Sequence, residues 1–247
     1  MVTKADFQLV RSLADKQARL AHGLFVAEGD KLIGEILAMP VWRVRRLFVL
    51  EGSLLCGAPQ AERVSPKEME RLSHLKSAPR SLALVEMPTN RSPKPSQDLL
   101  MLCLDEVQDP GNLGTIIRTA DWYGIRHIVC SPTTADCFAP KVVQATMGAL
   151  LRVEVSYCPL EEYLTRARKE GVATYATTLD GEDIHTARLT PGGIIIMGNE
   201  GKGVSPEVQR LVERKLFIPP FPRDRRGSES LNVAIATAIT CENFRSR

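Results

Sequence analysis

The chain has 247 residues, of which 44% are hydrophobic and 25% charged, and a formal net charge of +3. These are the proportions of an ordinary globular protein, with enough length for a sizeable core in one or two domains. No apolar run approaches a transmembrane span, so no membrane-spanning helix is expected, and the small net charge does not by itself announce nucleic acid.

The opening residues show no signal-peptide pattern, so the expected compartment is the cytoplasm. Six cysteines (Cys56, Cys103, Cys130, Cys137, Cys158 and Cys241) are scattered without a C-x-x-C pair or a histidine at metal-ligand spacing. They read as reduced small hydrophobes, and no metal is expected.

In chain order, Ala5–His22 alternates apolar Phe7, Leu9, Val10, Leu13 and Leu20 with basic Arg11, Lys16 and Arg19. That pattern predicts one amphipathic helix with a cationic face, stopped by Gly23. A strand at Leu24–Ala27 follows, then a helix through Leu37 and a strand at Val44–Leu50. Ser65-Pro-Lys-Glu68 is a capping box that opens a helix to about Ser73, and Ser81–Glu86 is a further strand. This mixture predicts a small α/β sandwich over residues 1–88. Residues 89–98 form a Pro-rich polar linker. Charge separates the two sides: residues 1–98 hold 15 Lys/Arg against 11 Asp/Glu, and 99–247 hold 17 against 18. The basic excess suits a part that grips a polyanion, although an ordinary solvated surface would look the same.

From Leu99 strands alternate with helices: Leu99–Leu104 and Thr115–Tyr123, Ile128–Cys130 and Lys141–Gly148, Val153–Val155 and Leu160–Glu170. Thr174–Thr177, Ile194–Met197, Pro206–Glu213, Leu216–Ile218 and a final helix from about Leu231 complete the series. Apolar strands between helices predict an α/β fold with a mostly parallel sheet covered on both faces.

Three stretches carry chemistry. In Leu102–Gly124 a strand leads through an Asp/Pro/Gly/Asn loop holding Asn112 to a helix carrying Arg118. Read alone, these are a turn residue and a surface arginine. In Ile194–Pro206, the loop Gly198-Asn-Glu-Gly-Lys-Gly203 lacks the Lys-Ser/Thr of a phosphate-binding loop and the G-x-G-x-x-G of a dinucleotide site. Glu200 would repel a phosphate, so close approach of an uncharged or cationic ligand fits better. In Lys215–Arg247, an apolar strand and a Pro/Arg loop precede a helix whose start gathers Ser228, Glu229, Ser230 and Asn232, a place for a cap or an oxygen-rich ligand.

In order and spacing, Asn112 with Arg118, the GNEGKG loop, and Ile218-Pro219 with Ser230-Leu231-Asn232 resemble the three motifs of the SpoU (TrmH-like) branch of the SPOUT RNA methyltransferases. The resemblance spans 99–247 and implies an S-adenosyl-L-methionine (AdoMet)-dependent enzyme that methylates a ribose 2′-hydroxyl of RNA. It also implies a C-terminal trefoil knot, an exception to unknotted chains, and a homodimer. Carried over by position, the catalytic set is Arg118, Asn112, Glu200, Ser230 and Asn232. The cofactor set is Thr177, Thr178, Leu179, Met197, Gly198, Gly201, Ile218, Pro219 and Leu231, with the first three beside the adenine. The segments GLFVAEGDKLIGEIL and LSHLKSAPRSLALVE resemble the ribosomal-protein-L30-like domain that binds substrate RNA in such enzymes. That favours ribosomal RNA over transfer RNA, with a non-catalytic RNA-binding protein as the other class. The loop after Pro219 is longer than the family motif, and its Arg223, Arg225 and Arg226 are candidates for RNA backbone contacts.

Overall fold

Helix breaks and caps set the first part of the chain. The structure, a computed structural model, describes residues 2–222 and 230–246. The expected helix at Ala5–His22 is two: α1 (Lys4–Ser12) and α2 (Lys16–His22). Asp15 causes the break, because its carboxylate accepts the backbone N–H groups of Gln17 and Ala18 and caps a new helix. Strands β1 (Leu24–Glu28), β2 (Val44–Val49), β3 (Ala61–Arg63) and β4 (Ser81–Glu86) form a sheet in the order β1-β4-β2-β3, with helices α3 (Asp30–Ala38) and α4 (Pro66–Leu72). The three-residue β3 has no alternating pattern of its own; it is held by parallel pairing with β2. The Ser65–Glu68 capping box forms as expected.

The chain divides into two units, Met1–Thr89 with Asp136–Leu151, and Asn90–Ala135 with Arg152–Arg247. A boundary at 89–98 alone does not describe this grouping, because Asp136–Leu151 goes with the first unit. Two contacts show why. Arg19, 2% exposed, donates to the Asp136 carboxylate at 3.0 and 2.5 Å, and the Phe138 ring lies 4.9 Å from that of Phe25. A buried guanidinium needs such a partner.

In the second unit the described residues form a six-stranded sheet in the order β10-β8-β9-β5-β6-β7, with every pair parallel. The strands are β5 (Leu100–Leu104), β6 (His127–Cys130), β7 (Glu154–Tyr157), β8 (Thr174–Asp183), β9 (Gly193–Met197) and β10 (Arg214–Phe217). All five positions of β5 and of β9 are buried, as continuous apolar runs in a sheet covered on both faces must be. Helices α5 (Pro110–Trp122), α7 (Leu160–Lys169), α8 (Pro206–Gln209) and α9 (Val233–Arg245) connect and cover the strands, while α6 (Pro140–Thr146) lies in the first unit. Met101, Cys103, Val129, Tyr163, Leu164, Ile194 and Ile196 form one buried cluster. Each large apolar side chain in it contributes about 1.5–3 kcal/mol by leaving water. Burial pushes the Cys103 thiol well up, and the Cys241 thiol up to about 12, which leaves both unreactive.

Among the described residues no helix is long and apolar enough to cross a membrane. Arg223, Arg225 and Arg226, with Ser228 and Glu229, lie outside the described residues.

Candidate active site

The site lies where the C-terminal ends of β5, β8, β9 and β10 meet the start of α9. Loops after parallel strands are where α/β sheets bind ligands.

After β5, Asp109 caps α5 by accepting the backbone N–H of Asn112 at 2.8 Å, with Pro110 at the first helical position. Asn112 is therefore in the first turn of the helix rather than in the preceding loop. After β9, the GNEGKG segment closes into a tight turn in which Asn199 and Gly203 exchange backbone hydrogen bonds of 2.9 Å. Gly198 is required there, because a Cβ would run into the backbone of Gly203 and Val204. The Asn199 side chain secures the turn. Its oxygen accepts from the backbone N–H of Gly201 and Lys202, and its amide donates to the Glu106 carbonyl. Glu106 holds a left-handed conformation, φ 58°, to present that carbonyl.

This turn brings Glu200 to Asn112. Asn112 Nδ2 donates to Glu200 Oε1 at 2.9 Å, and Asn232 Nδ2 donates to Asn112 Oδ1 at 2.9 Å. Asn232 Oδ1 in turn accepts from the N–H groups of Ala234 and Ile235, capping α9. The amide orientations follow from the two ends of the chain. The helix cap fixes the Asn232 oxygen, so its nitrogen must donate to the Asn112 oxygen. The Asn112 nitrogen then faces a carboxylate that can only accept. Three loops far apart in sequence are locked by one run of hydrogen bonds.

Next to it, β8 makes an excursion. Ala176 pairs with Lys215 and Glu182 with Leu216, so residues 177–181 leave the sheet where β10 advances one residue. Gly181 ends the excursion against β10, where a Cβ would lie 2.5 Å from the Leu216 carbonyl carbon. Lys215 Nζ sits 2.8 Å from Asp180 and holds that carboxyl below the usual carboxylate range. The space enclosed is a cavity of about 930 Å³. Thr177, Thr178, Leu179, Met197, Gly198, Gly201, Ile218, Pro219 and Leu231 all line it, as do Glu200 and Ser230. Asn112 and Asn232 stand behind Glu200 rather than in the wall.

Arg118 takes a different place. It is exposed, six residues beyond Asn112 and roughly 9 Å along the α5 axis. It neither lines the cavity nor forms a hydrogen bond or ion pair with another described residue. Lining residues that sequence reasoning missed include Asp180, Asn199, Val233, Ala236 and Ile239. Asn199, at the head of a glycine turn, had a legible signal as a turn former. The α9 residues had none, since small apolar residues there look like any buried helix.

The SpoU rRNA Methylase family model matches residues 99–242. The chain belongs to the SpoU rRNA methylase family. A curated relative, 23S rRNA (guanosine(2553)-2′-O)-methyltransferase RlmP of Bacillus subtilis (strain 168), is 30% identical over 95% of this chain and 94% of its own length. Among solved structures, a TrmH-family protein from Porphyromonas gingivalis superposes with a TM-score of 0.88 at 40% identity, covering 100% of this chain and 99% of that one. An AdoMet-bound rRNA methyltransferase from Sinorhizobium meliloti gives 0.86 at 28% identity, covering 100% and 96%. The parallel α/β architecture is that of SpoU methyltransferases.

The cavity suits a ligand of AdoMet's chemistry. Its volume falls in the usual range for small-molecule sites, about 300–1,000 Å³. Thr178 lines the cavity and places a hydroxyl beside the Asp180 carboxylate. Asp180, Glu200 and Lys202 are the charged residues of the lining, and since Lys215 pairs with Asp180, Glu200 is the carboxylate left to meet a cationic group of a ligand. Among the described residues no three His, Cys, Asp or Glu side chains cluster as metal ligands.

Proposed function

We propose that this chain is an AdoMet-dependent methyltransferase acting on a ribose 2′-hydroxyl of ribosomal RNA, as a homodimer. The observation that carries the reading is the Glu200–Asn112–Asn232 chain, which joins the three family motifs at the edge of a cavity with the right chemistry. Ribosomal RNA is favoured over transfer RNA because RlmP, a relative matching almost the whole chain, is named as a 23S rRNA enzyme. The first unit is assigned the grip on RNA, supported by the basic excess of residues 1–98.

AdoMet supplies a methyl group on a cationic sulfur. The backbones of Gly198, Ile218 and Leu231 would hold it, with Met197, Gly201 and Pro219 around them and Thr177, Thr178 and Leu179 beside the adenine. The protein's work is then positioning the ribose hydroxyl and easing its proton away. Glu200 is held by Asn112 and the Asp109 backbone N–H through one oxygen, which leaves its second oxygen to receive a donor from the ligands. Arg118 is a poor base, since a guanidinium keeps its proton above about pH 12. Its free fork is instead assigned to holding a phosphate and orienting the 2′-hydroxyl, and it would take the proton only if Ser230 Oγ relays it there. An apolar face on α9, with Ile235 51% exposed, supports the dimer.

Labelled AdoMet and protein-free 23S rRNA test this. Label is expected in a 2′-O-methylnucleoside, and label found only on a base would sink the reading. Arg118→Ala is expected to lower transfer by about two to three orders of magnitude while calorimetry shows unchanged AdoMet affinity. Normal turnover would remove Arg118 from the assignment.

A further inference from the structure

A second cavity, of about 490 Å³, lies in the same unit at the other end of β8. Thr174 lines it and Thr177 lines the cofactor cavity, so about 10 Å of strand separates the two. Arg168 at the end of α7, the turn Gly171–Val172, and Arg210 to Glu213 after α8 form the other walls.

Two arginines, Arg168 and Arg210, line it together. In this unit Arg152 pairs with Asp121, Arg214 with Glu182, and Arg245 donates to the Tyr123 carbonyl, whereas Arg118, like these two, has no such partner among the described residues. Arg168 and Arg210 pair with no described residue, although Glu213 shares their cavity. Nor are they used to satisfy the α7 terminus. The carbonyls of Arg166, Ala167 and Arg168 already accept the N–H groups of Glu170, Gly171 and Val172. Two unspent guanidinium forks beside one carboxylate leave a net positive recess. Forks of this kind match phosphate geometry. A carboxylate beside them asks for a hydroxyl donor.

We infer that this cavity binds one ribonucleotide unit of the RNA substrate, its phosphodiester on Arg168 and Arg210 and its ribose hydroxyl on Glu213, at a point remote from methyl transfer. The inference rests on the RNA-methyltransferase reading. It gives the second unit, which is nearly neutral overall, a localised contact to RNA backbone, and a hydroxyl contact that separates RNA from DNA.

The test uses the full chain with protein-free 23S rRNA, titrated at several salt concentrations. Arg168→Gln/Arg210→Gln is expected to weaken binding about tenfold and to flatten the log–log salt slope by about 0.7–0.9, one phosphate's worth, with AdoMet affinity and melting temperature unchanged. Glu213→Gln is expected to keep the slope and to lose preference for an RNA fragment over DNA of the same sequence. Unchanged affinity and slope in the double variant, beside a wild type that binds and methylates, overturn the cavity alone. Failure of the wild type to bind rRNA overturns the enzyme reading and this inference with it. If inorganic phosphate binds the wild type but not the double variant while rRNA binding is unaffected, the cavity serves a free phosphate ligand and the RNA assignment is overturned.

Discussion

Asn232 uses one side-chain amide for two purposes. Its oxygen caps α9, and its nitrogen fixes Asn112, which fixes Glu200. The two roles can be separated. Asn232→Asp keeps the capping oxygen and should leave the melting temperature nearly unchanged. It cannot donate to Asn112, however. If the Asn112 amide turns to donate instead, its oxygen faces Glu200, so one acceptor–acceptor contact remains in either orientation. Methyl transfer should therefore fall in Asn232→Asp without loss of stability, whereas Asn232→Ala should also lose about 1 kcal/mol of cap. Thermal melts read beside steady-state kinetics check this, and equal activity in Asn232→Asp and wild type would count against the relay.

At the scale of elements, the excursion of β8 makes the cofactor cavity possible. Residues 177–181 can leave the sheet because Gly181 returns the chain in contact with the β10 backbone. Gly181→Ala forces β8 and β10 apart, since backbone atoms cannot yield as a flexible side-chain end does. AdoMet affinity is expected to drop at least tenfold while far-ultraviolet circular dichroism stays close to wild type; calorimetry that finds normal affinity would show that the excursion does not shape the site. In the first unit, Asp6 closes the capping box of α1 and meets Arg46 on β2 at 2.7 Å. Burial alone would raise its pKa, but hydrogen bonds from Thr3 and the Arg46 guanidinium outweigh that and hold it low. A carboxyl lowered in the folded state contributes stability above the unfolded value, about 3.9, which is lost as pH falls through the folded value. Asp6→Asn should thus lower the melting temperature at pH 7 and lessen its fall below about pH 4, as scanning calorimetry across pH would record.

For the whole molecule, the outer face of α9 is the proposed contact between two copies of the chain. Ile235 is 51% exposed there, and Trp122 at the end of α5 is 85% exposed. Apolar surface of this kind on two neighbouring helices is ordinary in an interface and costly in water. Ile235→Glu would set a charge in any two-fold contact on this face. Sedimentation equilibrium should show a wild-type dimer and a monomeric variant; a monomeric wild type at micromolar concentration would refute the homodimer.

How much of this was legible in the sequence depends on the range of the interaction concerned. Apolar runs such as Leu100–Leu104 and Ile194–Met197 determined buried parallel strands, because burial on both faces leaves no room for polar residues. The Ser65–Glu68 box determined a helix start by bonds between neighbours in the chain. The second and third motifs, as ordered patterns of residue types, contain Glu200, Ile218, Pro219, Ser230 and Leu231, which line one cavity, whereas Asn112 and Arg118 of the first do not. Asp15 likewise broke the first helix through a cap between chain neighbours, a local signal that outweighed the continuous amphipathic pattern. Only tertiary structure decided the rest. Asp136–Leu151 joined the first unit because Arg19 and Phe25, over a hundred residues away, give it partners. Asn112 became the middle of a relay rather than a lining residue, and Arg118 was left unpaired on the surface of α5. Such outcomes depend on which donor finds which acceptor across the fold, and that pairing is set by packing rather than by spacing along the chain.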